Sequence, residues 1–295
     1  MPTRLDALLV QQGLARSRDQ AKQLIAAGRV TVDGKPASKP SQPATPDAAI
    51  LVAPHPGDDG YASRAAHKLI GALDALPAVA ALINGATCLD LGASTGGFTD
   101  VLLRRGASRV IALDVGHDQL IDRLRADQRV TVIEGFNVRG LTRAGLTDLA
   151  GLADLPDCPN SQPALIVADL SFISLTLIVG PVAAAMPPAG QALLLVKPQF
   201  EVGRDRLGSG GVVRDPELRK QAILTVIDAA ANAGLTCMNV LPSLLPGPSG
   251  NREFFIHLSR HGTPGNVTDQ VEQAVAWEPS AVSSMQQETG GVQTP

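Results

Sequence analysis

The 295-residue sequence predicts an α/β protein, an open and largely parallel sheet with helices on both faces, preceded by a small α+β domain. Two observations predict it. From Thr87 onward, short apolar runs alternate with stretches of helical spacing, the pattern of repeated strand–helix–strand units. Ahead of them, residues 1 to 60 read as two short amphipathic helices and a few brief strands, separated from the rest by a Pro/Gly/Asp-rich joint.

In chain order, Thr3-Arg-Leu-Asp6 reads as a capping box for a first helix with Leu5, Leu8 and Leu9 inward, closed by Gly13. Ser17-Arg-Asp-Gln20 opens a second, with Ala21, Leu24 and Ile25 inward and Gly28 at its end. Arg29 to Lys35 forms a strand and an Asp33-Gly34 hairpin turn, and Ala49 to Val52 a later strand. The net charge of -3 hides an asymmetry: residues 1 to 40 carry +4 and the remainder -7. A basic end on an acidic body predicts a polyanion partner for that end, against the alternative of ordinary solvated helix faces. Arg4, Arg16, Arg18, Lys22 and Arg29 are the expected RNA contacts there, with Arg64 beyond the joint.

The large domain begins near Tyr61 and runs to about residue 260. Ser63 is placed to cap a helix through Arg64, Lys68, Leu69, Leu73 and Leu76. Strands are expected at Cys88–Leu91, Val110–Leu113, Val130–Glu134, Ala164–Ala168, Ala192–Val196, Cys237–Leu241 and Glu253–Leu258. Helices fit at Leu120–Ala126, Leu175–Ala185 and Leu218–Ala233. The polar tail after Arg260 is expected to be disordered.

The stretch from Thr87 to Asp114 carries a binding site. A strand breaks at Gly92, Gly96 and Gly97, a helix follows at Phe98, and a second strand ends in Asp114, the usual distance for an acid that grips ribose hydroxyls. Ser94 replaces the second glycine of a pyrophosphate fingerprint, and Asp90 would repel a diphosphate while tolerating a cationic amino-acid group. The cofactor expected is therefore S-adenosylmethionine. Asp90-Leu-Gly-Ala-Ser-x-Gly-Gly-Phe98 resembles the first motif of class I methyltransferases, which have a Rossmann-like sheet.

Parallel strands bring their carboxyl ends to one rim, which gathers Gly92, Asp114, Asn137, Asp169 and Lys197. Glu253 joins them if the last strand runs antiparallel. Lys68, Asp169, Lys197 and Glu253 resemble the tetrad of FtsJ-like RNA ribose 2'-O-methyltransferases, and Arg4-Leu-Asp-x-Leu-Leu with Val30-x-Val-Asp-Gly-Lys35 resembles the S4 RNA-binding domain. With Ala-Asp169-Leu-Ser-Phe-Ile-Ser, Val-Lys197-Pro-Gln-Phe-Glu and Gly250-Asn-Arg-Glu253-Phe, residues 3 to 260 resemble the TlyA family. That resemblance implies methyl transfer to cytidine 2'-hydroxyls of ribosomal RNA, free or in ribosomal subunits. It implies the four tetrad residues as the catalytic set. The cofactor set is Asp90, Gly92, Ser94, Gly96, Gly97, Phe98, Asp114 and Asn137, with Asp169 shared.

Lys197 is the candidate base or orienting group, and an ammonium has no lone pair until it gives up a proton. Asp169 is expected to hold it, and Lys68 with Glu253 to place the ribose and a phosphate. Cys88, Cys158 and Cys237 lack metal-ligand spacing, so no metal and no disulfide framework is expected. His67 and His117 read as surface residues. Without an apolar signal core, and with Pro181, Pro187 and Pro188 interrupting Leu175–Val196, the chain reads as soluble and cytoplasmic. That counts against a pore-forming haemolysin, the label many relatives carry. A non-catalytic RNA-binding protein is a second alternative, which intact tetrad and cofactor positions count against, and a small-molecule methyltransferase a third, which leaves the S4-like end unexplained.

Overall fold

A computed structural model describes residues 3–15, 18–53, 59–149 and 162–278. The chain divides into two compact units, 1–60 and 61–295. The expected Arg16 contact, the Ser17 cap, Cys158 and much of the joint lie outside the described residues.

In the first unit, β1 (Thr3–Arg4) pairs antiparallel with β4 (Pro43–Ala44), and β2 (Val30–Val32) lies between β3 (Lys35–Pro36) and β5 (Ile50–Val52). Asp33 and Gly34 both have positive φ, 52° and 76°, as a two-residue hairpin of matching twist requires. Helices α1 (Leu5–Gln11) and α2 (Arg18–Ala26) close the core through Leu5, Leu8, Leu9, Ala21, Leu24 and Ile25. The capping box is a correction. Arg4 occupies the N-cap without a side-chain cap bond, because Thr3 and Arg4 are drawn into the β1–β4 ladder. Asp6 turns inward, fully buried, and accepts hydrogen bonds from Arg4 and Arg18.

The second unit is built on seven strands in the order β11-β12-β10-β9-β6-β7-β8. They are β6 (Thr87–Leu91), β7 (Arg109–Leu113), β8 (Val130–Ile133), β9 (Pro163–Ala168), β10 (Gln191–Val196), β11 (Thr236–Pro242) and β12 (Phe254–Ser259). β12 pairs antiparallel with both its neighbours, while β8, β7, β6, β9 and β10 are parallel. Every residue of β6 is buried, which is why this central strand reads as an unbroken apolar run with only Asp90 inside it.

Two cores sandwich the sheet. One packs Leu69, Leu73, Val101 and Leu102, from α3 (Ala66–Ala75) and α5 (Gly97–Arg104), on Cys88, Val110, Leu165 and Phe255. Short α4 (Pro77–Ala80) and α6 (Asp122–Arg125) complete that side with Val79 and Leu124. The other packs α7 (Arg143–Leu149), α8 (Val179–Ala185), α10 (Pro216–Asn232) and α11 (Val267–Ala276) on the opposite strand faces, while α9 (Pro198–Glu201) is a single turn at the rim.

Four expectations need correction. The expected helix 120–126 contracts to α6, and that at 175–185 breaks into a 3-10 turn at Leu175–Leu177 followed by α8. Ser63 does not cap α3, whose N-cap is Ala65; instead the Ser63 carbonyl accepts from Ala66 N at 3.1 Å. The segment after Arg260 holds α11, capped by Asn266, whose side chain accepts from Asp269 N. Val271, Ala274 and Val275 bury one narrow face of it among the sheet's second core, a stripe that the polar average of the tail hides. Residues 279–295 of the expected disordered tail lie outside the described residues.

Candidate active site

The sheet's register aligns the polar residues. Leu91 lies opposite Ala168, Ala168 opposite Leu194, and Val196 opposite Phe254, so Gly92, Asp169, Lys197 and Glu253 emerge along one rim. Because β12 runs against its neighbours, its start meets the ends of theirs. Lys68 reaches the same place from α3.

These side chains form an alternating line of charge. Lys197 Nζ lies 2.6 Å from Asp169 Oδ1, Lys68 Nζ 3.5 Å from Asp169 Oδ2, and Lys68 Nζ 2.7 Å from Glu253 Oε2. Lys68, Lys197 and Glu253 are 5%, 7% and 2% exposed. Neither Asp169 Oδ1 nor Glu253 Oε2 has a partner in hydrogen-bond geometry despite these short contacts, so charge rather than direction holds the two pairs. Lys197 does donate a directed bond to Ser171 Oγ at 2.8 Å. Burying three of these charges, with Asp169 partly exposed, costs desolvation that apolar residues would not, which makes the cluster a weak source of stability and a candidate site of chemistry.

Beside the line lies a cleft of about 230 Å³, lined by Ser63, Lys68, Gly92, Ser94, Asp169 and Lys197 among others. Gly92 has φ 82°, and a Cβ there would stand 3.1 Å from the Asp169 carbonyl, so only glycine lets the turn approach β9 this closely. At Gly96, φ 98°, a Cβ would collide with Leu124 and Leu120. Gly97 begins α5 and lines the cleft. Ser94, φ 46°, donates its backbone N–H to Asp114 Oδ2 at 2.8 Å, while Gly116 N donates to Oδ1 at 2.8 Å. Asp114 therefore braces the glycine turn from the end of β7.

Three expected cofactor residues occupy other surroundings. Phe98 touches the cleft but is mainly core, stacked on Phe255 with centroids 6.2 Å apart. Asn137 does not line the cleft; its side chain caps the turn Val138–Gly140 by accepting from Arg139 N. Asp90 lies beneath the turn, fully buried, accepting from Thr99 Oγ1 at 2.6 Å, and its other oxygen has no partner. That orphaned carboxylate oxygen and the glycine cradle suit a ligand bearing a cationic amino group.

Burial pushes the Asp90 carboxyl up to about 7, with Asp169 and Asp114 adding to it and Thr99 opposing. A carboxyl raised above its unfolded value binds its proton more tightly in the native state, so it withdraws stability as pH rises from about 4 to about 7. Asp90→Asn is expected to gain on the order of 4 kcal/mol over the parent at pH 8 and under half of that at pH 5 in urea unfolding. A gain equal at both pH values would contradict this. Burial likewise holds the Cys88 and Cys237 thiols up at about 12, which makes them inert. His257 is buried on β12 between Asn239 and Gln191 and is pushed down to about 4 by burial.

Expected RNA contacts are found tethered rather than loose. Arg4 and Arg18 share Asp6, whose carboxyl the Arg4 hydrogen bond, helped by Arg18, holds well below the usual range. Lys22 pairs with Asp19 at 2.8 Å, and Arg29 Nε donates to the Ala53 carbonyl. Each fixes its cation on the surface. Arg64 lines the cleft and donates to the Pro246 carbonyl.

Sequence reasoning assigned no role to Ser171 or Phe172. Phe172 is 92% exposed with φ 64°, a conformation uncommon outside glycine. Its ring lies 5.3 Å from that of Phe200, which in turn lies 5.9 Å from Lys197 Nζ. With aromatics at only 3% of the chain, a phenylalanine in a strand-end loop was the available signal.

Comparison with known proteins agrees with this architecture. Residues 61–260 match the FtsJ-like methyltransferase family model and residues 3–50 the S4 domain. The chain is 45% identical over 280 residues to the 16S/23S rRNA (cytidine-2'-O)-methyltransferase TlyA of Mycobacterium tuberculosis, covering 94% of this chain and 98% of that one. It is 36% identical to Hemolysin A of Brachyspira hyodysenteriae over 86% of this chain and 98% of that one. A solved structure described as a hemolysin from Streptococcus thermophilus superposes with a TM-score of 0.69 at 34% identity, covering 93% and 94% of the two chains.

Proposed function

The chain belongs to the TlyA family of FtsJ-like methyltransferases, and on that premise we propose that it methylates the ribose 2'-hydroxyl of a cytidine in ribosomal RNA. The observation that carries this reading is the buried line Lys197–Asp169–Lys68–Glu253 beside the glycine-turn cleft.

The methyl donor is S-adenosylmethionine, which when bound supplies a methyl group made electrophilic by a sulfonium. Gly92, Ser94, Gly97 and Phe98 would hold it, with Asp114 bracing the turn and Asp90 beneath. The remaining task is alignment of an oxygen with that methyl carbon, and disposal of the hydroxyl proton. Lys197, restrained by Asp169 and Ser171, is the group placed to orient the 2'-oxygen. Glu253 and Asp169 hold Lys68 at the other end of the line, where it serves a phosphate or ribose oxygen. The S4 unit, with its tethered cations, supplies RNA affinity that is independent of the reacting base.

Phe172 offers an uncovered ring at the mouth of this site, suited to stack on an unpaired base. Phe172→Ala is expected to cut kcat/KM for RNA about 10- to 100-fold, as loss of about 1–3 kcal/mol of stacking implies, with donor affinity unchanged. Unchanged kinetics would remove Phe172 from the site.

Incubating the protein with methyl-labelled S-adenosylmethionine and, in parallel, naked rRNA, ribosomal subunits or a small phenol tests the reading. Label in rRNA or a subunit supports it. Label in the phenol alone, or binding of RNA without transfer, contradicts it. Some relatives carry hemolysin names; among the described residues no helix is long and apolar enough to cross a membrane.

A further inference from the structure

A groove of about 790 Å³, larger than the catalytic cleft, lies on the same unit between the start of α10, the end of α11 and the loop before β12. Arg214, Arg219, Lys220 and Arg252 line it, against Glu217, Glu272 and Glu278. Two of those acids are engaged: Glu272 with Lys220 at 2.9 Å and Glu278 with Arg252 at 2.8 Å. Among the described residues no carboxylate pairs with Arg214 or Arg219.

Lys220 and Arg252 are each paired with one acid, while Arg214 and Arg219 are held by backbone carbonyls. Arg219 Nε donates to the Val213 carbonyl at 2.9 Å. Buried Asn251 accepts from Val213 N and donates to the Gly211 carbonyl, tying the loop of Arg214 to that of Arg252. Arg252 stands 6.0 Å over the Trp277 ring, and its Nη2 is buried without a hydrogen-bond partner. Burial first, and then the neighbouring Arg252, push the Arg219 guanidinium down, with Glu278 and Asp215 opposing. Guanidiniums gathered with donors unspent are built for an oxyanion, and Glu278, 81% exposed on its side chain, lends one from the chain itself.

The groove adjoins the chemistry. Pro248 lines the catalytic cleft while Ser249 and Gly250 line the groove, and Arg252 directly precedes Glu253. We propose that this groove binds phosphodiester groups of the RNA strand whose ribose enters the neighbouring cleft. The proposal rests on the RNA reading above and adds a second backbone contact, on the catalytic unit itself.

The full-length protein, an Arg214→Gln/Arg219→Gln variant and a Glu278→Gln variant should be compared for rRNA affinity across a salt series, with donor binding as the control for folding. The double variant is expected to lose about tenfold or more in RNA affinity. Its slope of log K against log salt should shrink by about one to two, since each lost phosphate contact removes about 0.7–0.9. Its kcat at saturating RNA should stay within about twofold. Glu278→Gln is expected to tighten RNA binding about two- to fivefold, a gain that damage to the fold cannot produce. If the double variant matches the parent in affinity and slope while the parent methylates RNA, this proposal falls alone; a Glu278→Gln variant that binds no tighter overturns it as well. A parent that binds no RNA overturns the functional reading with it. Inorganic phosphate or a free nucleotide that binds at this groove, with RNA affinity untouched by the substitutions, assigns it to a small anion instead.

Discussion

Lys197→Ala is expected to lower kcat by about three orders of magnitude or more while leaving donor affinity within about twofold. Lys197 lines the far side of the cleft and is not part of the glycine turn, so the loss is expected on the transferring step rather than on donor binding. Its ammonium is held by Asp169 at 2.6 Å and Ser171 at 2.8 Å, which restricts it to one direction of approach. Lys197→Arg separates the two roles open to it. An arginine retains charge and donors but does not give up a proton, so recovery of most of the rate with Arg identifies an orienting group, and continued loss identifies a base. Single-turnover kinetics with saturating donor make the measurement. Full activity in Lys197→Ala would remove this residue from the mechanism.

The second large effect concerns stability and chemistry together. Lys68 is nearly enclosed with Glu253 at 2.7 Å, and Lys68→Met leaves that carboxylate buried without its cation. The single variant is expected to lose about 3–5 kcal/mol of stability. Adding Glu253→Gln removes the stranded charge and should restore part of it, a coupling of about 1 kcal/mol or more in a double-mutant cycle by urea unfolding. Activity should not return with stability, because both side chains serve the substrate. Additive losses of stability would mean the pair is not coupled.

Much of the sheet can be read from sequence because its central strands are buried on both faces and so appear as apolar runs such as Cys88–Leu91 and Leu193–Val196. Polar residues that end such runs, Asp169 and Lys197, stand out for the same reason, and the antiparallel direction of β12 brings Glu253 to their rim. What escaped depends on tertiary partners. The capping pattern of Thr3–Asp6 is locally sound, yet β4 takes Thr3, and Asp6 gains two guanidiniums that no local rule announces. Asn137 spends its side chain on its own turn instead of reaching the cleft. Helix α11 has only a narrow inward stripe, and its burial depends on α10 and the sheet. The cationic groove joins Arg214 to Arg252 across a long stretch of chain, with Asn251 as the tie, so neither segment looks basic by itself.

The most direct test of the account is where the methyl group goes. After reaction of rRNA with labelled S-adenosylmethionine, complete nuclease digestion and mass spectrometry of the nucleosides should find the label as 2'-O-methylcytidine, in a linkage that resists alkali. Label on a base carbon or nitrogen, with the ribose unmodified, would contradict the assignment of Lys197, Asp169, Lys68 and Glu253 to a ribose hydroxyl.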